Sequence, residues 1–358
     1  MTNLSINTDS TPPGDVLGAI GNTPLIEIKS LTNILGGSKI YGKCENLNPG
    51  GSVKDRPALR MIEEAEKNGL LKPGYTICEG TGGNTGVGLA LVAAAKGYNA
   101  VFSMPQSIAE EKINSMKLFG AQVQLCENVP FTDKRHYFHV AAELGKAPNV
   151  FFTNQFENLS NGESHYETTA PEIFQALGGR IDAFVASSGT GGTINGCSRY
   201  FKEKRRDTLI YLVDPVGSGL FDYVNEKGGN TYNEESLPET TFVKRSEGSS
   251  ITEGIGIGRL TSNFTAAKID GAFQVTDREA VEMAYYLLRN DGIFVGPSAA
   301  LNVCGAVKLA RQMNMGSNIV TILCDAGDKY NSKIFNSTWL KEKDLEPKVT
   351  GNNLEFVS

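Results

Sequence analysis

Two glycine-rich stretches of nearly the same make-up, Thr81-Gly82-Gly83-Asn84 and Thr190-Gly191-Gly192-Thr193, each stand between a short apolar run and a longer helical pattern. Glycines there let the backbone turn from a strand into a helix and come close to a ligand at the strand's end. The rest of the chain keeps the same order. Residues 84–96 read as a buried helix, 100–104 as a strand, 108–119 as a helix and 122–125 as a strand. The second half follows with helix 168–177, strand 183–187, helix 193–204 and strand 209–213. Helices over 277–289 and 298–313 close it, around apolar pieces at 293–295 and 319–323. Such alternation with short loops predicts parallel sheets covered by helices on both faces. The expected fold is α/β, with two domains, each a mostly parallel twisted sheet flanked by helices. The two loops then meet in a cleft between the domains.

Boundaries follow from the same pattern. An N-terminal domain is expected over 15–158 and a larger one over 159–340, meeting near 154–162. Residues 1–14, ending in Pro12-Pro13-Gly14, read as a disordered tail, and 341–358 as a charged, loosely held C-terminal tail. Residues 221–250 read as a polar, mobile excursion.

Composition excludes several classes. Lys and Arg number 34 against 40 Asp and Glu, a formal charge of −6, so no basic excess serves nucleic acid. The longest apolar run, 87–95, is too short to span a membrane. The six cysteines are widely spaced, without a CxxC pair or a Cys/His ladder, so reduced thiols and no metal are expected. Residues 1–15 hold neither an apolar segment nor an arginine, which predicts a cytoplasmic protein.

The loop Ser187-Ser188-Gly189-Thr190-Gly191-Gly192-Thr193 offers backbone N–H groups at a helix start and two threonine hydroxyls, chemistry suited to a phosphate. No Gly-Lys-Ser/Thr follows, and Ile194 fills the third glycine position of a dinucleotide fingerprint, so neither nucleotide motif is met. Read structurally, the same loop is a tight strand-to-helix turn. The first loop, Glu79 to Gly86, suits a non-nucleotide anion such as an amino-acid carboxylate, or simply a helix cap. Lys54 opens the first clear helix, where the helix N-terminus favours a neutral amine of the kind a Schiff base requires. Most first-turn lysines are nonetheless solvated surface residues.

These pieces occur in the order of a known family. Gly21-Asn22-Thr23-Pro24-Leu25, PGGSVKDR around Lys54, EGTGGNTGVGLAL (79–91), NQFENLSNGESHYETTAPEI (154–173), SGTGGT (188–193), SITEGIGIGR (250–259) and GPSAALN (296–302) are similar to the motifs of the pyridoxal-phosphate β-family. That family holds the cysteine synthases and the core of cystathionine β-synthase, and the likeness runs from about Gly14 to Leu340. It implies fold type II, like the tryptophan synthase β subunit, with 15–55 crossing to the larger domain and 56–158 a smaller mobile part. It implies pyridoxal 5'-phosphate held by Lys54, which then takes the substrate's α-proton. Gly189, Thr190, Gly191, Gly192 and Thr193 would cradle the phosphate, Asn84 the ring hydroxyl and Ser298 the pyridine nitrogen. Thr81, Gly82, Gly83, Thr85, Gln155 and Gly254 would bind the substrate.

A serine beside the ring nitrogen makes the cofactor a weaker electron sink and favours β-elimination over racemisation or transamination. The implied reaction is L-cysteine formation from O-acetyl-L-serine and sulfide through an aminoacrylate, in a homodimer, with serine acetyltransferase as a candidate partner. Gly82 replaces a serine common in cysteine synthases, and Pro297 with Ala299 to Leu301 alter the turn beside the pyridine. The Cys324 to Tyr330 stretch resembles a branch that also holds cysteine desulfhydrases. Desulfhydration, cyanoalanine formation, serine-using cystathionine synthesis, or a catalytically weak sensor of O-acetylserine or sulfide therefore stand as alternatives. His136, His139, His165 and Trp339 are expected on helix faces or in the core.

Overall fold

The computed structural model describes residues 14–108, 110–348 and 353–358, so the expected disordered tail lies outside the described residues but for Gly14. Twelve strands are built among them: β1 (Leu25–Glu27), β2 (Lys39–Lys43), β3 (Thr76–Gly80), β4 (Asn99–Pro105), β5 (Gln122–Cys126), β6 (Val150–Phe152), β7 (Ala183–Ser187), β8 (Leu209–Pro215), β9 (Thr231–Glu234), β10 (Leu237–Val243), β11 (Gly271–Val275) and β12 (Asn318–Ile322). Six form one sheet in the order β1-β2-β12-β7-β8-β11, parallel except for the β1–β2 pair. Four form an all-parallel sheet, β5-β4-β3-β6. The last two make a separate antiparallel hairpin.

Side-chain alternation along the strands explains why both faces of the large sheet are covered. Ala183 and Val185 of β7 point into a core shared with the helices Asp277–Asp291 and Pro297–Ala310, while Phe184 and Ala186 enter a second core with Gly192–Lys204. A third core lies between the four-stranded sheet and the helices Asp55–Lys67 and Asn84–Lys96. The Asp55–Lys67 helix carries its apolar stripe on one side and ends at Asn68, followed by Gly69 at φ +69°.

Three readings of the sequence need correction. The expected helix at 168–177 continues a longer run from Ser160, interrupted by one π turn over His165–Thr169. The polar excursion at 221–250 contains the β9–β10 hairpin, held by buried Phe242 and Val243 within an otherwise polar stretch. The end of the C-terminal tail is docked: Leu354 and Val357 are buried, Arg311 Nη2 donates to the Leu354 carbonyl at 2.8 Å, and Ser358 N–H donates to Glu279 at 3.1 Å. Leu354 and Val357 pack into the core with Phe356 beside them, and the hydrogen bonds fix the same end. Among the described residues no helix is long and apolar enough to cross a membrane.

Candidate active site

β3 and β7 belong to different sheets, and each is followed by its glycine loop and a 13-residue helix. A cavity of about 740 Å³ lies between them. Lys54, Thr81, Gly82, Gly83, Asn84, Thr85, Gln155, Gly189, Thr190, Gly191, Gly192, Thr193, Gly254 and Ser298 all line it. Every site residue expected from the sequence is thus brought to one space, from segments spread over the chain.

Lys54 stands at the N-cap of the Asp55–Lys67 helix. Its loop is stitched to the end of β12 by the Val53 N–H donating to the Cys324 carbonyl at 2.8 Å and by a bridge between Ser52 and Asp325. Burial pulls the Lys54 ammonium below its ordinary value, against the opposing pull of Cys324 and Asp325. The downward direction matches the effect of a helix N-terminus, but desolvation, which the sequence does not display, is its main cause.

The second loop is closely packed. A side chain on Gly189 would collide with the Gly254 carbonyl, and Gly191, at φ +93°, leaves no room beside Phe264. The first turn of Gly192–Lys204 has no intrahelical acceptors for its N–H groups, and Thr190 and Thr193 stand among them. A glycine cradle at a helix N-terminus, with a buried lysine lining the same cavity, fits a phosphate ester that carries a carbonyl, as pyridoxal phosphate does. Gly189→Ala should therefore remove cofactor retention while the protein still folds. Absorbance of the desalted protein checks this, and a fully loaded variant would refute it.

Hydrogen bonds join the two halves of the site. Thr85 Oγ1 donates to Gln155 Oε1 at 2.6 Å, and Gln155 Nε2 donates to the Gly80 carbonyl at 3.2 Å. Asn161 Nδ2 donates both to the Gln155 carbonyl at 2.8 Å and to Thr190 Oγ1 at 2.9 Å. Thr81 Oγ1 accepts from the Gly83 N–H at 3.2 Å. A Cβ on Gly82 would stand 3.2 Å from Ile108 Cδ1, a tight approach to the end of a flexible side chain.

Beneath this loop Glu79 is fully buried and accepts from the N–H groups of Gly80 and Gln155 and from Thr153 Oγ1. Burial nevertheless raises its carboxyl from 4.5 to about 7. The folded state therefore holds a proton that the unfolded chain has lost. Its contribution is fully present below pH 4.5 and is lost as pH rises through 7. Urea unfolding across pH 5 to 8 should show wild type losing stability relative to Glu79→Gln; parallel pH dependences would contradict the assignment.

Sequence reasoning missed the aromatic wall. Phe131, His136, Tyr137 and Phe138 reach the cavity from the segment after β5, and Tyr232 and Phe242 from the hairpin. Arg259 lies against the rings of Phe131, Phe138 and Phe156 at 4.5, 5.2 and 4.7 Å, and pairs with Glu157 at 2.7 Å. The clustered aromatics of 131–138 were the available signal. His165 is buried, its Nδ1 against Thr169 Oγ1 at 2.9 Å and its Nε2 3.3 Å from Thr193 Oγ1. Burial, with Arg56 and Lys54 nearby, holds its imidazole well below its ordinary value. Among the described residues no group of three or more His, Cys, Asp or Glu is arranged to hold a metal.

The pattern of the family described as pyridoxal-phosphate dependent enzyme matches residues 16–325. A cysteine synthase of Dictyostelium discoideum is 42% identical over 343 residues, covering 96% of this chain and 89% of that protein. Cysteine synthase 1 of Emericella nidulans is 44% identical over 95% of this chain and 89% of its own length. Among solved structures, an O-acetylserine dependent cystathionine β-synthase from Helicobacter pylori superposes with a TM-score of 0.78 at 34% identity, covering 90% of this chain and 99% of that one. A hydrogen sulfide-producing enzyme from Fusobacterium nucleatum gives 0.77 at 33% identity, with coverage of 88% and 99%. Likeness of fold and sequence runs over nearly the whole length, and the chain belongs to the family of pyridoxal-phosphate-dependent enzymes.

Proposed function

We propose that this enzyme forms L-cysteine from O-acetyl-L-serine and sulfide by β-replacement. The observation that carries the reading is the convergence of Lys54 and both glycine loops on one cavity, in a chain 42–44% identical to proteins named cysteine synthase.

In this reading Lys54 Nζ would hold the cofactor and would serve as the base for the substrate's α-proton. The depressed basicity of its amine suits that role. Gly189 to Thr193 hold the phosphate, Asn84 the ring hydroxyl and Ser298 the pyridine nitrogen. Thr81, Gly82, Gly83, Thr85, Gln155 and Gly254 hold the substrate and shield it from water. Bound pyridoxal phosphate supplies the electron sink, and a serine at the ring nitrogen keeps it a weak one, favouring loss of the β-substituent. Domain limits of 15–158 and 159–340, with 56–158 closing over the substrate, belong to the same proposal, as do a cytoplasmic homodimer and serine acetyltransferase as partner.

The test is the visible spectrum of the purified protein with O-acetylserine in the absence of sulfide. The resting band should shift, then return with release of cysteine when sulfide is added. A band that O-acetylserine leaves unmoved would overturn the substrate. A second reading, a larger thiol as nucleophile or cysteine as sulfide source, is favoured by the extension of the cavity along Phe131, Phe138, Tyr232 and Phe242. Rates on O-acetylserine, serine and cysteine measured side by side separate the two.

A further inference from the structure

Asp325 is completely buried at the end of β12, yet its side chain reaches a residue 241 positions away in the chain. Its Oδ2 accepts from Asn84 Nδ2 at 2.7 Å and from the Tyr330 hydroxyl at 2.7 Å. Its Oδ1 is buried without a partner. On the other side of the same carboxamide, Lys329 Nζ donates to Asn84 Oδ1 at 3.3 Å and to the Gly50 carbonyl at 2.9 Å.

This arrangement fixes which way round the amide stands. A carboxylate cannot donate, so the Asn84 NH₂ must face Asp325, which leaves its carbonyl on the side of Lys329 Nζ. One Nδ2 hydrogen is used by Asp325 and the other remains as a donor. Without the two charged partners the amide could turn over and present its carbonyl instead. A half-satisfied buried carboxylate is costly, which marks the position as one where geometry is held against stability.

We propose that Asp325, assisted by Lys329, is a positioning residue that orients the Asn84 carboxamide as a donor toward the ring oxygen of pyridoxal phosphate. This rests on the assignment of Asn84 to that oxygen under the proposed function. Asp325 also meets the site through its backbone, by its bridge to Ser52 beside Lys54. Side-chain substitutions leave that bridge in place; they also remove the Tyr330 contact and the pull on Lys54, effects that the Asn84→Ala background exposes on their own.

The experiment compares Asp325→Ala, Asp325→Asn, Asn84→Ala and the Asp325→Ala/Asn84→Ala double variant, all as full-length protein titrated with pyridoxal phosphate. Two readouts are taken, the dissociation constant of the cofactor and the position of its bound absorption band. Asn84→Ala should loosen the cofactor roughly tenfold, the scale of one charge-assisted hydrogen bond, and move the band. Asp325→Ala should loosen it by a similar ~5- to 10-fold and move the band the same way. The double variant should resemble Asn84→Ala alone, and Asp325→Asn, which keeps an acceptor for Nδ2, should restore most of the wild-type position.

Additive losses in the double variant would overturn the proposal, because independent sites add and coupled ones do not. An unmoved band in Asp325→Ala would overturn it as well. If Asn84→Ala itself leaves both readouts unchanged, the placement of Asn84 at the cofactor fails, and the proposal with it. Should Asp325→Ala not fold, Lys329→Met removes the partner on the carbonyl side. It should shift the band in the same direction, and have no effect in the Asn84→Ala background; an effect there would count against the proposal.

Discussion

Lys54→Ala should lower the rate of cysteine formation by at least ~10⁴-fold, the upper range for losing a positioned acid–base group, with the covalent attachment lost in addition. Under the proposed function Lys54 has both duties. Its loop is bonded to the end of β12 through Val53 and Ser52, and burial keeps its amine below ordinary basicity. Other lysines meet only part of this description. Lys329 is also depressed by burial, but its Nζ is engaged by Gly50 and Asn84, and it does not line the cavity. The measurement is turnover of O-acetylserine with sulfide, together with the visible band of the purified variant. Activity within tenfold of wild type, or a normal covalent chromophore, would refute the role of Lys54.

The second large effect is on stability and lies two residues further on. Arg56 is buried at the start of the same helix and is held by four bonds to two carboxylates. Nε and Nη2 meet Glu45 at 2.8 Å each, and Nη1 and Nη2 meet Glu172 at 2.7 and 2.8 Å. Lys43 adds a second cation to Glu172 at 2.5 Å. Arg56→Ala leaves Glu45, itself completely buried, without its guanidinium partner. Removing one partner of such a pair costs about 3–5 kcal/mol, a large share of the ~5–15 kcal/mol that holds a typical domain together. Arg56→Lys should recover little, since an ammonium cannot form the two bidentate contacts. Denaturant unfolding of the cofactor-loaded protein checks this, and a loss below about 1 kcal/mol would contradict it. Glu45 follows β2 and Glu172 lies in the helical run after the π turn, so the cluster fastens the Lys54-bearing helix to the large sheet.

Much of this architecture is visible in the amino-acid order because its causes are local. The strands at 183–187 and 209–213 lie where short apolar runs bounded by turn residues place them. The helix Asp277–Asp291 starts at Thr276 with a capping box to Glu279 and ends at Gly292 in the left-handed region, both signals carried by nearby residues. The hairpin and the docked C-terminus were not legible in this way. Each depends on two apolar side chains within a polar segment finding a distant surface, and no periodicity announces it.

The same division runs through the site. Neighbouring residues alone specify the two glycine loops, the helix starts beside them and Lys54 in front of the Asp55–Lys67 helix, since backbone turning and N-terminal donors depend on little else. The motif order carried the family. Only the tertiary structure decided how the lysine is tuned, which way the Asn84 amide faces and what walls the cavity. Desolvation depends on what packs around a group, and Asp325, Lys329, Phe131 and Phe242 reach the site from segments that meet only when the two sheets are assembled.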